Sequence, residues 1–356
     1  MRRVLCAAVA LCLAGAAGEA RGATGRATLA LEHDDNPFEQ RQGRRAAWVS
    51  RLYVYLVSPL LERERAAVVL QHQWGLKRFW QAERASQGRG DVLASHLELA
   101  GTVRVHPRLL ARWVGDLKTK DAQRLSSEES YLRGGLRLGL EGQLDEHLGA
   151  HLEVSQSGDD ARDLRQVDVS VREAAAALIY RRDRRLSARL DYRRHWLGYD
   201  RPALGRSPGG GTPVELDVDQ EDHGQEWAAQ VQHYGEGLVQ AAYSFLDNES
   251  NSAGYAYHAH TARLVLTRGL AAGVDGQIFA TGQRRRYDHP VPTGALVQPS
   301  DVQDEYEQAL LAVKLARRLA EAYDLSCEYR FSRNGSRREA GSYRKNVFTL
   351  AVDAGI

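Results

Sequence analysis

The sequence predicts a single-domain antiparallel β-barrel that spans a membrane, with about 16 strands in a range of 14 to 18. Three observations predict it. Segments of alternating apolar and polar residues, each roughly 10–14 long, recur from residue 26 to the chain end. Short turns and long polar loops alternate between them. No uncharged run after residue 23 approaches the ~18 residues of a membrane helix, and mean hydropathy is −0.47.

The chain opens MRRVLCAAVALCLAGAAGEARGA. Arg2 and Arg3 precede an uncharged stretch from Val4 to Ala17, and small residues follow, which reads as a secretory signal peptide over 1–23. Cleavage between Ala17 and Thr24 leaves 24–356 as the barrel. Cys12 follows Leu11 inside the apolar run, so a lipoprotein signal is not expected. Only Cys327 remains beyond it, which excludes an intrachain disulfide scaffold. A net charge of +2 gives no basic field for nucleic acid.

The expected strands cover 26–34, 45–57, 66–80, 91–105, 108–118, 129–142, 147–157, 165–181, 184–199, 222–234, 237–247, 256–267, 270–283, 304–316, 319–332 and 342–356. Tight turns follow the even segments: SPLLERER, HPR, LDEH, RRDRR, YGEG, TRG and ARR. Long loops such as QAERASQGRG and RPALGRSPGGGTPVELDVDQ follow the odd ones. Short turns at one end and long loops at the other are the transmembrane-barrel arrangement, and an even count puts both termini at the periplasmic end. Proline removes a ladder hydrogen bond, and all nine prolines, Pro37, Pro59, Pro107, Pro202, Pro208, Pro213, Pro290, Pro292 and Pro299, are expected in loops or turns.

The faces separate along each strand. Leu97, Leu99, Val103 and Val105 oppose His96, Glu98, Thr102 and Arg104. Leu132, Leu136, Leu138 and Leu140 oppose Arg133, Arg137 and Glu141. Leu186, Ala188, Leu190 and Tyr192 oppose Arg189, Asp191 and Arg193. One face suits lipid and the other water. A soluble sandwich shows the same alternation, but strands this long with a strict short/long rhythm favour the barrel. Residues 305–325 and 171–180 are rich in helix formers. They are read as strands because Leu311, Val313 and Leu315 alternate with Leu310, Ala312 and Lys314, and β-propensity yields to context.

The stretch LEHDDNPFE, a strand ending in acidic residues and Asn, resembles the first hairpin of porin-like bacterial outer-membrane β-barrel families. The final NVFTLAVDAGI, with Phe348, Leu350, Val352, Ala354 and Ile356 alternating to the end, resembles the barrel-assembly signal, with Ile356 where an aromatic residue usually stands. Exopolysaccharide-export proteins also end in barrels of this size. If that resemblance holds, a separate periplasmic partner is implied, because strands begin directly after the signal.

Several clusters have competing readings. His33-Asp34-Asp35-Asn36 is compared with the His-Ser-Asn set of outer-membrane lipid hydrolases, but Asp35 stands where a nucleophile is wanted and adjacent strand residues face opposite ways. Glu32, Asp34, Asp35, Asn36 and Glu39 are a candidate calcium cluster. The preferred reading is the turn at the outer end of the first strand, since Asp, Asn and Pro form turns. Asp217, Asp219, Glu221 and Asp222 read as a solvated acidic loop without the glycine and distal glutamate of a calcium loop. His258 and His260 share a face and could hold a metal or lie near the membrane interface. Trp48, Tyr53, Trp80, Trp113, Tyr192 and Trp196 are candidates for aromatic girdles, or for lumen or core positions.

The remaining candidate site is the lumen. Its expected lining is Glu98, Arg104, Arg133, Arg137, Glu141, Glu153, Arg189, Asp191, Arg193, Arg263, Lys314, Glu328 and Arg330. Charged linings tune selectivity, and an arginine excess favours anions. The competing reading is that Arg and Glu pair to brace the wall. The sequence thus predicts an outer-membrane channel for polar solutes or polysaccharide. The alternative is a structural barrel that anchors an envelope-spanning machine. Outer-membrane lipid and an envelope protein are the expected partners, with no enzyme activity, no cofactor and no metal.

Overall fold

A computed structural model describes residues 22–36, 46–80, 92–122, 130–161, 168–205, 213–288, 306–336 and 342–356. All of the expected signal peptide up to residue 21 lies outside them, as do Glu39, Pro37, Pro208, Pro290, Pro292, Pro299 and most of the long loops. Sixteen strands form one closed antiparallel sheet. They are β1 (Thr24–Asp34), β2 (Ala47–Arg63), β3 (Ala66–Phe79), β4 (Val92–His106), β5 (Leu109–Ala122), β6 (Tyr131–Gln143), β7 (Leu148–Ala161), β8 (Val169–Arg181), β9 (Leu186–Gly205), β10 (Val214–Tyr234), β11 (Gly237–Ser250), β12 (Tyr257–Gly269), β13 (Val274–Tyr287), β14 (Tyr306–Ala320), β15 (Tyr323–Ser336) and β16 (Tyr343–Gly355). Each strand pairs with its sequence neighbour, and β1 closes on β16. Both helix-prone segments are strands, β8 and β14.

The registers climb around the wall. Arg26, near the inner start of β1, connects through directly opposed Tyr55, Gln73, His96, Lys118, Arg133 and Asp159 to Val169, at the outer end of β8. A full circuit through all the pairs returns to β1 about 20 residues from its start, the shear that tilts strands by roughly 40°. Sixteen strands about 4.8 Å apart at that tilt give a circumference of about 100 Å and a backbone diameter of about 32 Å.

The profile is inside-out. Leu152 is 57% exposed, Leu190 51% and Leu136 50%, while Glu32, Asp34 and Asp222 are buried. A soluble sandwich of this length would bury such leucines; a lipid-facing wall leaves them outside. Trp48, Trp113, Tyr192 and Trp196 fall on the outer register, and Tyr192 packs on Trp227 with ring centroids 4.4 Å apart. Tyr53 falls on the inner register instead, where its hydroxyl donates to Gln73 Oε1 at 2.6 Å. Gly101 lies beneath the Trp113 indole, so close that a Cβ there would be 2.2 Å from the ring.

Three expectations are corrected. Pro59 and Pro202 lie inside β2 and β9. Both sit at register irregularities, where a missing N–H costs no ladder bond. The long loop after the ninth segment is largely strand: β9 runs to Gly205 and β10 starts at Val214, so this hairpin outreaches its neighbours. The acidic stretch therefore is not a loop. Asp217, Asp219 and Glu221 are exposed on the extension, but Asp222 is buried on the inner register.

HDDN closes the barrel. Asp34 points inward, wholly buried, with Lys345 Nζ of β16 2.9 Å from its Oδ2. Asn36 N donates to Asp34 Oδ1 at 3.0 Å, and Asn36 Nδ2 donates to the Arg344 carbonyl at 2.9 Å. Asp35 accepts from Asn346 N and Nδ2, both at 2.7 Å. At the other end of the seam Arg26 meets Asp353 at 2.8 Å, and Gly25 and Ile356 exchange backbone hydrogen bonds. Among the described residues of the candidate calcium cluster, Asp34, Asp35 and Asn36 are thus committed to the seam and Glu32 is held by Arg51 at 2.8 Å.

Candidate functional site

Alternation and register together decide which side chains meet across the lumen. Following the inner register from buried Glu32 and Asp34 around the closed sheet brings all thirteen predicted residues to the inner face. Most are held in ion pairs. Arg137 meets Glu98 at 3.7 Å, Arg193 meets Glu173 at 3.1 Å, and Arg133 meets Asp159 at 3.4 Å. Arg112 meets Glu141 at 2.6 Å, Arg189 meets Asp191 at 2.6 Å, and Arg330 meets Glu328 at 2.6 Å. His151 stands 3.9 Å from Glu153. Arg193 also reaches Glu226 at 3.8 Å, so it ties β8, β9 and β10 together.

Arg104, Arg263 and Lys314 are different. No carboxylate among the described residues pairs with them, nor with Lys77 or Lys118. Lys77, Lys118 and Lys314 line one recess of about 690 Å³ on the inner wall, together with Arg51, Tyr53 and His96. The wall is braced and still leaves these five bases without a carboxylate, although Asp116 and Glu153 face only histidines and Asp222 is held by Gln220.

A second polar group stands at the outer mouth. Arg201 Nε donates to Gln220 Oε1 at 2.9 Å, and Gln220 Nε2 donates to Asp222 Oδ1 at 3.1 Å. The Arg201 guanidinium lies over Tyr199 and Tyr255, 5.1 and 4.9 Å from the ring centroids. Ala253 N donates to the Leu204 carbonyl and Leu204 N to Ser252 Oγ, so the β11–β12 connection is fastened to the β9–β10 extension. These contacts make that side of the mouth a built edge.

His258 and His260 face outward. His258 sits between Asp247 at 3.0 Å and Asp288 at 3.2 Å, and His260 Nδ1 is 2.7 Å from the Tyr243 hydroxyl. Their ring nitrogens serve carboxylates and a phenol.

Sequence reasoning missed Glu32, Asp34, Arg51, Lys77, Lys118, Glu173 and Glu226 as lumen residues. Glu32 and Asp34 were within reach: once Leu29 and Leu31 face lipid, alternation turns their even-numbered neighbours inward. The VREAAAALIY segment gave no register for Glu173, because four successive alanines suit either face.

No protein-family model matches the chain, and no curated protein matches it. Solved structures do. OccAB3 of Acinetobacter baumannii aligns over 94% of this chain and 99% of its own, with a TM-score of 0.51 at 10% identity. OccAB4 of the same organism aligns over 95% and 100%, with a TM-score of 0.50 at 8% identity. A bacterial polysaccharide outer membrane secretin aligns over 93% and 98%, with a TM-score of 0.49 at 7% identity. At these identities what is shared is the fold, the closed porin-like barrel of bacterial outer membranes.

Proposed function

We propose that the protein is an outer-membrane channel for polar solutes with a preference for anions, reached by export under an N-terminal signal peptide. The observation that carries this reading is the inner wall: charged residues line most of it, most of its carboxylates are ion-paired, and among the described residues Lys77, Arg104, Lys118, Arg263 and Lys314 have no carboxylate partner. A backbone diameter of about 32 Å leaves a bore on the order of 20 Å between opposing side chains, before the outer loops are counted. Unpaired cations in such a bore lower the electrostatic cost of an entering anion. A carboxylated or phosphorylated metabolite fits this chemistry, and so does a linear acidic polysaccharide.

Single-channel conductance of the refolded chain in a planar bilayer tests the reading, with the reversal potential measured under a salt gradient. Steady open steps with an anion-selective potential are expected. A cation-selective potential would refute the preference. Insertion without conductance would favour the anchoring role, in which the barrel holds an envelope assembly by its loops or turns.

A further inference from the structure

The outer wall carries one arrangement that its folding does not explain. Arg333 of β15 and Arg344 of β16 are directly opposed, both outward and both exposed. Like charges opposite one another destabilise a strand pair, yet neither arginine has an ion-pair partner among the described residues. Asp35, across the seam, is occupied by Asn346. Along the same row toward β12, the outward positions are the small residues Ala309, Gly282 and Ala262.

Their height is informative. Below them on the outer face come Phe331 and Tyr329 of β15, then Phe348, Leu350 and Val352 of β16. Tyr329 is fixed by donating its hydroxyl to Asn346 Oδ1 at 2.7 Å. Twelve residues separate Arg344 from Ile356 at the inner end. At about 3.4 Å per residue and a tilt of roughly 40°, that is about 30 Å along the membrane normal, against an apolar band about 25 Å tall. The arginine pair therefore stands just beyond the outer edge of the hydrocarbon, above an aromatic girdle, at the level of lipid headgroups.

We propose that Arg333 and Arg344 form a site for a phosphate group of an outer-leaflet lipid, the phosphomonoester of a lipopolysaccharide. Two adjacent guanidinium forks match a phosphate dianion, which removes their mutual repulsion and satisfies donors that otherwise face water or lipid. The acyl chains of the same lipid would lie along Phe331, Phe348 and Leu350. This inference rests on the outer-membrane reading above. It does not depend on the lumen being open.

The test is lipid binding to the refolded full-length barrel in detergent, read by native mass spectrometry. The probes are purified lipopolysaccharide, the same lipid enzymatically dephosphorylated, and inorganic phosphate. Retained lipopolysaccharide should fall about tenfold on dephosphorylation and about tenfold for each of R333Q and R344Q, the loss expected for one charged hydrogen-bonding group. Conductance of both variants should equal that of the wild type, which separates failure of this site from failure of the channel reading. Equal binding of the dephosphorylated lipid, or undiminished binding by a folded R333Q/R344Q double variant, would overturn the proposal. Displacement of the lipid by millimolar inorganic phosphate would also overturn it, since the site would then hold a free anion.

Discussion

Replacing Lys345 by Met removes one member of the pair that latches β16 to β1. Asp34 is wholly buried and Lys345 is 16% exposed, with 2.9 Å between charges. At that distance the gross attraction is about 6 kcal/mol for an effective dielectric of about 20. Desolvation of both groups offsets most of it, so the net worth of the intact pair is small. Breaking the pair is another matter. The Asp34 carboxylate would stay buried with only the Asn36 N–H as donor, and loss of one partner of a buried pair costs about 3–5 kcal/mol. Because Lys345 retains some solvent, the low end, about 3 kcal/mol, is expected for K345M. The double variant D34L/K345M should recover to within about 1 kcal/mol of wild type, since no buried charge is left. Urea titration of the barrel in lipid vesicles, followed by tryptophan fluorescence, measures both. A K345M loss below about 1 kcal/mol, or a double variant no more stable than the single one, would refute the reasoning.

The lumen surplus predicts that K77Q/K118Q/K314Q moves the reversal potential toward cation selectivity without loss of folded barrel; an unmoved potential would place the selectivity filter elsewhere. At Gly101, substitution by Val should cost about 1–3 kcal/mol, because the Trp113 ring occupies the space a side chain needs; urea titration of G101V beside G101V/W113A shows whether that ring is the cause. The turn carboxylates of Asp145 and Asp183 each accept two backbone N–H bonds, from His147 and Leu148 and from Arg185 and Leu186, which hold both below the usual Asp pKa. A depressed pKa contributes stability that is present above the ordinary Asp pKa of about 3.9 and is lost as pH falls through the lower folded value. D145N/D183N should therefore lose less stability than wild type as the pH falls from about 6 to about 2, and equal acid sensitivity in urea titrations would discount the turns.

Strand number, order and facing were legible because lipid on one side and water on the other impose period two on every crossing segment. HLELAGTVRV and YLRGGLRLGLEG are strict enough to assign each side chain. The outer half of β9 and β10 was not legible. Pro202 and the acidic run 214–222 have the composition of a loop, and strand there is held by contacts distant in sequence, such as those of Ser252 and Ala253 with Leu204. The inner charges of β1 were hidden for a related reason. Asp34, Asp35 and Asn36 look like a turn, and their second task, holding β16, involves residues more than 300 positions away. Which arginines remain unpaired was equally invisible, since that depends on registers set by the whole circuit.

The seam has a consequence for how the chain reaches its final state. Its two edges are the first and last strands made, so the contact that abolishes the sheet's edges is also the most distant in sequence, Arg26 facing Gly355. Loop-closure entropy grows slowly with length, but the pairing cannot form until β16 is present. Until then every intermediate carries two unpaired edges, competent to pair with another chain. A chain cut before β16 would leave the sheet with two open edges.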